Sequence, residues 1–380
     1  MTEPSQPSTK SSTLGILKTP NDPRVCLLPK EVKRLISEFK IKVLFESGLG
    51  NSLQIEDQEY VEAGAISLPR DAVFNDSDTI ISINHVLGET EIKSGINFIG
   101  IFNPLFYDTK FASYKEHKAT VYSLDLLPRT TLAQSMDVLS SMASLAGYRA
   151  VIKASELYNG IFPMLTTAAG TLRPAKVLVL GAGVAGLQAI ATARRLGAVV
   201  EAFDVRKSAG EEVRSLGATF IEVEGFTESS SAGGYAVEQS EDYQKRQKEL
   251  IHEHILSANI VISTANIPGK KAPLLVETRS VEAMQPGSII IDLAAEQGGN
   301  CQLSKNGETI SHKEVSIVGN SNLSAAIPAA ASNLLSNNYF SFLKYMEKSD
   351  NPDDPLLTAS KIMDNGEWSH PHFTKKSQLA

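Results

Sequence analysis

Three glycines in the run Lys176-Val-Leu-Val-Leu-Gly181-Ala-Gly183-Val184-Ala-Gly186-Leu-Gln are the residues of this chain best suited to hold a phosphate. An apolar strand, then Gly-x-Gly-x-x-Gly, then a helical pattern is the layout of a turn that cradles the diphosphate of a dinucleotide. Gly181 permits the tight turn, Gly183 leaves no side chain between backbone and diphosphate, and Gly186 lets the following helix lie close on the strand. Amide groups at that helix start, backed by the helix dipole, favour the negative charge. A glycine triplet alone is weak evidence, so the flanks decide. Helical spacing from about Val184 to Leu196 ends at Gly197, which predicts a left-handed cap, and Val199-Val-Glu-Ala-Phe203 reads as the next strand. Asp204 closes that strand 18 residues after Gly186, where a carboxylate accepts hydrogen bonds from an adenosine ribose and repels a 2′-phosphate. NAD is therefore expected over NADP, with nearby Arg206 the one feature that works against the preference.

Most nicotinamide dehydrogenases pair hydride transfer with proton transfer and need a His, Lys or carboxylic acid beside the substrate carbon. Of the 7 histidines, His117, His252, His254 and His312 lie in charged helical or loop stretches and His370 and His372 in the tail, which leaves His85 as the candidate base. A second polar group is Arg129-Thr-Thr-Leu-Ala-Gln134-Ser-Met-Asp137-Val-Leu-Ser140, at the start of a long helix-compatible stretch from Gln134 to Leu157. In such a helix Gln134 and Asp137 share one face. By themselves these residues read as N-terminal capping beside a solvated arginine. Gly225 to Ala236, rich in small and polar residues and carrying Gly234 and Tyr235, is either a lid or a tolerated insertion.

Those residues need rigid elements to hold them, and 380 residues with 42% hydrophobic content suffice for two domains with separate cores. A net charge of -7 without a basic stripe argues against nucleic acid as a ligand. Cys26 and Cys301 form no metal pattern and read as structural thiols. The polar N-terminus predicts disorder over residues 1–12, and no apolar run approaches the roughly 20 residues of a membrane span, so direct membrane insertion is not expected. Apolar runs at Leu14–Leu17, Val43–Glu46, Thr79–Ile83, Phe98–Phe102 and Thr120–Leu124 alternate with helical patterns. The alternation resumes after Asp204 with Thr219–Val223, Asn259–Ser263, Ser288–Asp292 and Val315–Val318, and Ala325 to Tyr345 is helical in spacing. The expected fold is α/β: two Rossmann-like domains with parallel, doubly wound sheets and an interdomain cleft. The expected division is residues 13–133 with 335–380, and residues 134–334 as the NAD-binding domain. The tail from Lys348 reads as a surface extension.

Arg129…Gln134-Ser-Met-Asp137-Val-Leu-Ser140, Leu145-Ala-Gly-Tyr-Arg-Ala-Val, Thr167-Ala-Ala-Gly-Thr, Asp204-Val205-Arg206, Ala232-Gly-Gly-Tyr-Ala, Thr264-Ala265-Asn-Ile-Pro-Gly-Lys-Lys-Ala-Pro and Ile290-Ile-Asp-Leu-Ala-Ala-Glu-Gln-Gly-Gly-Asn-Cys together resemble the NAD(H)-binding alpha subunit of proton-translocating nicotinamide nucleotide transhydrogenases. These belong to a superfamily shared with alanine dehydrogenases. The resemblance is dense from about Pro128 to Leu303. It implies hydride transfer from NADH held here to NADP(H) held by a separate beta subunit (domain III), with proton movement through membrane-spanning partner subunits. It also implies a homodimer, cytoplasmic and peripheral on the inner face of the cell membrane through its partners. Transfer between two nicotinamide rings involves no substrate proton, which accounts for the scarcity of candidate bases. By the same resemblance Arg129, Asp137 and Ser140 hold the nicotinamide carboxamide and its neighbourhood, and Gln134 reaches toward the partner's nucleotide. Asp204 takes the ribose and Tyr235 closes the loop over NAD. Gly181, Gly183, Val184, Gly186, Val205, Arg206, Gly234 and Ala265 complete the cofactor site.

The sequence departs from the family in places. Alanine dehydrogenases carry a Lys and a His where this chain has Ser82-Ile-Asn84-His85 and Asn103-Pro104, so an amino-acid dehydrogenase is disfavoured. The N-terminal arginine-rich run is reduced to Lys18-Thr-Pro-Asn-Asp-Pro-Arg24, and the loop ends Glu238-Gln239 where Glu-Met is usual. Asn320-Ser-Asn-Leu-Ser-Ala-Ala lacks a basic residue expected there. The competing expectations are an alanine- or saccharopine-type dehydrogenase using His85, and a non-catalytic NAD-binding regulatory module.

Overall fold

The computed structural model describes residues 12–86, 93–223, 241–351 and 353–377. Residues 1–11 of the stretch 1–12 expected to be disordered, and the loop with Gly234, Tyr235 and Gln239, lie outside them. The chain forms two compact units, Met1–Ser141 with Pro328–Ala380, and Met142–Ile327. The division falls inside the helix Val138–Leu157 and at the start of the helix Pro328–Lys348, where the sequence placed it at 133/134 and 334/335. The second difference has a clear cause. From its first turns the helix Pro328–Lys348 is bonded to the first unit: Val25 N–H donates to Ser332 Oγ (2.8 Å), Leu28 N–H to Ser336 Oγ (2.8 Å), and Tyr339 Oη donates to the Ser82 carbonyl (2.7 Å).

The unit Met142–Ile327 is built on a seven-stranded sheet. Its strand order is Thr219–Ile221, Val199–Phe203, Lys176–Leu180, Ile260–Ser263, Ile289–Asp292, Val315–Gly319 and Glu308–His312. The first six are parallel. This is the doubly wound order, with the reversal beside Lys176–Leu180. Side chains alternate across the sheet and sort the core into two layers. Val177 and Val179 face a layer containing Ala150, Ala154 and Ile190, while Leu178 and Leu180 face Ile251, Ile255 and Val281. Strands covered on both sides must be apolar throughout, as Ile260–Ser263 and Ile289–Asp292 are, buried at every position. The seventh strand was not expected. Glu308–His312 pairs antiparallel with Val315–Gly319 across a turn at Lys313 and Glu314, both at positive φ although neither is glycine. A short exposed hairpin, Leu165–Thr167 with Gly170–Leu172, also went unread.

The other unit holds an eight-stranded sheet. Its order is Glu367–Trp368, Lys361–Asp364, Thr120–Ser123, Asn97–Gly100, Thr79–Ile81, Thr13–Ile16, Lys42–Glu46 and Ile66–Leu68. The strands from Thr120–Ser123 to Ile66–Leu68 are parallel. The C-terminal segment corrects the expectation of a surface extension. Lys361–Asp364 and Glu367–Trp368 add two antiparallel strands to the sheet edge, with Ile362 and Met363 fully buried and Phe373 stacked on Trp368 at 4.5 Å between ring centroids. Covering that edge removes an unpaired strand from solvent. No helix among the described residues is long and apolar enough to cross a membrane.

His85 lies in this unit among aromatic rings, with centroids 5.0 Å from Phe102, 5.0 Å from Phe111 and 5.7 Å from Tyr114. Its Nε2–H donates to the Phe102 carbonyl at 3.2 Å, and buried Nδ1 has no hydrogen-bond partner. Burial, aided by the Lys110 charge, pushes its pKa down from 6.5 to about 4, against the Phe102 hydrogen bond, which raises it. Such a histidine binds its proton only on unfolding below pH 6.5, so its contribution to stability is complete above 6.5 and is lost as the pH falls toward 4. The loss amounts to roughly 3 kcal/mol across that window. The pH dependence of urea denaturation, compared between the native chain and His85→Phe, measures it: the stability difference should change across pH 6.5 to 4 by that order, and parallel curves would refute the assignment. In the same unit Met363→Ala opens a cavity under the added edge strands and should cost about 2–4 kcal/mol of unfolding free energy. A cost below about 0.5 kcal/mol would mean that the tail is not part of this core.

Candidate dinucleotide site

At the end of the strand Lys176–Leu180 each glycine does a different job. Gly181 is at φ +99°, and a Cβ there would meet Thr264 Oγ1 at 2.8 Å and the Ala265 nitrogen at 3.1 Å. Its N–H donates to the Phe203 carbonyl (2.8 Å), and its own carbonyl accepts from Thr264 Oγ1 (3.0 Å), so both neighbouring strand ends hold the turn. Gly186 is buried, and a Cβ on it would collide with the Gly181 carbonyl oxygen. Gly183 precedes the helix Val184–Arg195 with ordinary extended dihedrals (φ -79°, ψ -167°), and nothing lies within 4 Å of where its Cβ would be. Neither strain nor packing therefore explains a glycine at 183. The open space sits on the N-terminus of a 12-residue helix, where free amides and the helix dipole suit an anion. Val184 opens that helix and is partly exposed. Gly197 caps its far end at φ +92°, as the sequence predicted.

Asp204, at the end of the next strand, has a side chain only 8% exposed. Its Oδ2 accepts from Ala182 N–H (2.7 Å) and Arg206 Nη2 (3.0 Å), and its Oδ1 from the Arg206 backbone N–H (2.8 Å) and Nε (3.0 Å). The Asp204 hydrogen bond holds Arg206 above its ordinary pKa, against the cost of burial. A carboxylate offers about four acceptor positions, so a ribose hydroxyl must share or replace a guanidinium bond to reach it. Val205, between the two, packs on the apolar layer around Leu178 and Leu180. Ala265 lies beyond the strand on the other side, Ile260–Ser263. These residues fit a dinucleotide: open backbone at 183, a helix start, and a carboxylate at the adjoining strand end.

Arg129, Gln134, Asp137 and Ser140 belong to the other unit. The single helix expected from Gln134 breaks. Gln134–Met136 is one 3-10 turn, and the α-helix Val138–Leu157 starts after Asp137, whose ψ of 87° is not helical. Asp137 and Gln134 therefore do not share a helical face. Asp137 caps the helix instead, with Oδ1 accepting Ser140 N–H (2.8 Å) and Oδ2 accepting Ser140 Oγ–H (2.6 Å). The capping expected of this segment is present, and it pairs Asp137 with Ser140. Gln134 and Arg129 are exposed, and the Ser135 carbonyl is tied to Asn338 Nδ2 (2.9 Å). Cys26 and Cys301 are buried, and burial pushes their thiols up to about 12 and about 11, as suits structural residues.

Two residues of the second unit stand in the motifs that carry the resemblance but were given no role there. Thr264 joins the phosphate turn to the neighbouring strand end, and Asn300, fully buried, bonds the backbone of Ala265. The available signal for Asn300 was the pair Gly298-Gly299 before it, both at positive φ.

Comparison with known proteins bears on the family and the fold. The model of the alanine dehydrogenase/PNT N-terminal domain matches residues 18–146, and that of the C-terminal domain matches residues 150–371. A Rhodospirillum rubrum protein, named as the first portion of NAD(P) transhydrogenase subunit alpha, is 39% identical over 373 residues, 94% of this chain and 97% of its own length. The Rickettsia prowazekii protein of the same name is 39% identical over 359 residues, 92% of this chain and 93% of its own. The crystal structure of a transhydrogenase from Sinorhizobium meliloti superposes with a TM-score of 0.85 at 41% identity, covering 94% of this chain and 100% of that one. With both domain models matched in order and such identity sustained along nearly its whole length, the chain belongs to the alanine dehydrogenase/PNT family and, within it, to the NAD(P) transhydrogenase alpha subunits.

Proposed function

We propose that the chain is the NAD(H)-binding subunit of a proton-translocating transhydrogenase. It works as a homodimer with an NADP(H)-binding beta subunit (domain III) and membrane-spanning subunits, which hold it peripherally at the inner face of the cell membrane. The observation that carries the nucleotide assignment is the contrast between Gly186, where a Cβ has no room, and Gly183, where it has room and no strain. The choice of a transhydrogenase over an amino-acid dehydrogenase is supported by the relatives and by His85, whose Nε2 is tied to Phe102 within an aromatic cluster. The chemistry that bound NAD(H) supplies is hydride donation to, or acceptance from, a second nicotinamide on the partner.

For that reaction the protein has to hold and orient rather than move a proton. The backbone at Gly181, Gly183, Val184 and Gly186 holds the diphosphate, and Asp204 with Val205 and Arg206 takes the adenosine ribose. Ser140 has committed its hydroxyl proton to Asp137, so its oxygen presents lone pairs to a carboxamide NH₂. Arg129 offers donors for the carboxamide oxygen. Gln134 is assigned to the partner's nucleotide, and Gly234 and Tyr235 to closure over NAD(H).

Measurements of binding, stability and transfer test this. Gly183→Ala should leave the melting temperature unchanged yet weaken NADH binding, followed by NADH fluorescence, by about tenfold or more. Gly186→Ala should destabilise the fold by roughly 1–3 kcal/mol as the helix is forced off the strand. Full NADH affinity in Gly183→Ala would remove the diphosphate from this turn. Mixed with an NADP(H)-binding partner, the chain should catalyse transfer to an acetylpyridine NAD analogue, and Gln134→Asn should lower the rate by about a hundredfold through misalignment of the two rings. Absence of transfer by the native chain would favour a non-catalytic module.

A further inference from the structure

We propose that Asn300 is a positioning residue for the nicotinamide half of the site, acting through the backbone of Ala265; the proposal rests on the NAD(H)-binding reading above. Asn300 is fully buried at the end of the turn that follows the strand Ile289–Asp292. Its Oδ1 accepts Ala265 N–H at 3.1 Å, and its Nδ2 donates to the carbonyls of Ala265 and Pro273, each at 2.8 Å. Its own carbonyl accepts the N–H groups of Leu275 and Val276, each at 2.9 Å. One residue thus ties both ends of the segment from Thr264 to Leu275, which otherwise has little regular structure to hold it.

The residue is itself held. Gly298 and Gly299, at φ +96° and +77°, turn the chain inward, and buried Asp292 Oδ2 accepts Cys301 N–H at 3.0 Å. The segment in turn abuts the phosphate turn, since Thr264 Oγ1 donates to the Gly181 carbonyl at 3.0 Å. The sheet order decides which half of the nucleotide is affected. Lys176–Leu180 lies between Val199–Phe203, which ends at Asp204, and Ile260–Ser263, which leads to Ala265. A dinucleotide lies across this reversal point, so its adenosine half takes the Asp204 side and its nicotinamide half the Ala265 side. The bonding pattern needs an amide, one acceptor and two donors. A carboxylate keeps only the bond from Ala265 N–H and sets a negative oxygen against two carbonyls.

The test is Asn300→Asp, with Asn300→Ser as the neutral alternative should the aspartate variant fail to fold. Dissociation constants are measured for NADH, by its fluorescence, and for ADP, by calorimetry, the latter ligand lacking everything beyond the diphosphate. NADH should bind about tenfold more weakly while ADP stays within about twofold of the native value. Unchanged NADH binding overturns the proposal. Equal weakening of both ligands also overturns it, because that is general loosening of the fold. A native chain that binds NADH at no concentration tested would overturn the functional reading itself, before any variant is compared.

Discussion

Two backbones meet at the glycine turn after Leu180 without a side chain between them, and the placement of the helix Val184–Arg195 depends on it. At Gly186 the helix rests on the Gly181 carbonyl, and at Gly147 the helix Val138–Leu157 rests on the carbonyl of Ala185, one residue earlier. The first turn of this helix is therefore gripped from the strand and from a neighbouring helix at adjacent residues. The layer behind these contacts is filled largely with alanine: Ala146, Ala150, Ala154, Ala189 and Ala193. Small side chains are what allow helix axes to come close, and a close approach tolerates little volume change. The amides that face the open space at Gly183 are thus placed by contacts that nearly any larger residue would break.

The repeating features of this fold were legible in the sequence. Fully apolar strands such as Ile260–Ser263 announce a sheet covered on both faces, and the glycine spacing announces the tight turn and close helix packing at Gly181 and Gly186. What escaped depends on single contacts. The hairpin at Lys313 and Glu314 adopts positive φ without the usual Gly or Asn, because five paired residues on each side hold it. The strands of the tail are too short and too mixed in composition to show a period, and only the edge beside Val121 makes them strands. Asp137 looked like part of a helix because Gln134 to Leu157 is continuous in pattern, yet an aspartate that can cap its own following turn favours ending the preceding one. Asn300 stood in a quoted motif without a role, since its bonds go to a backbone distant in sequence.

The same rule separates the predicted site residues. Where a role depends on backbone shape, as for Gly181 and Gly186, sequence spacing identified it. Where a role depends on which partner a side chain chooses, spacing could not. Spacing gave no hint that the Asp204 carboxylate, proposed for the ribose, would also take four bonds from Ala182 and Arg206. The arginine partly neutralises this carboxylate, so under the proposed assignment any discrimination against a 2′-phosphate here would rest on the geometry of the fork as much as on charge.

Polar groups of the unit built on the eight-stranded sheet follow a pattern that fits a reaction without proton transfer. Arg24, remnant of the N-terminal basic run, is joined to Asp22 at 2.6 Å with both side chains under a tenth exposed. Burial pushes the Asp125 carboxyl up, while hydrogen bonds from Ser123 and from the backbone at Phe102 and Asn103 pull it down. His85 is held neutral by the rings around it. A dehydrogenase acting on a keto acid would keep such groups facing substrate, because a clamp for a carboxylate and an acid for a carbonyl must both be available. Here the cation is matched by its own chain and the imidazole donates inward to a carbonyl, so their bonding serves the fold. The proposed transfer between two nicotinamides makes no demand on such groups, since it requires only that two rings be held at a set distance and angle.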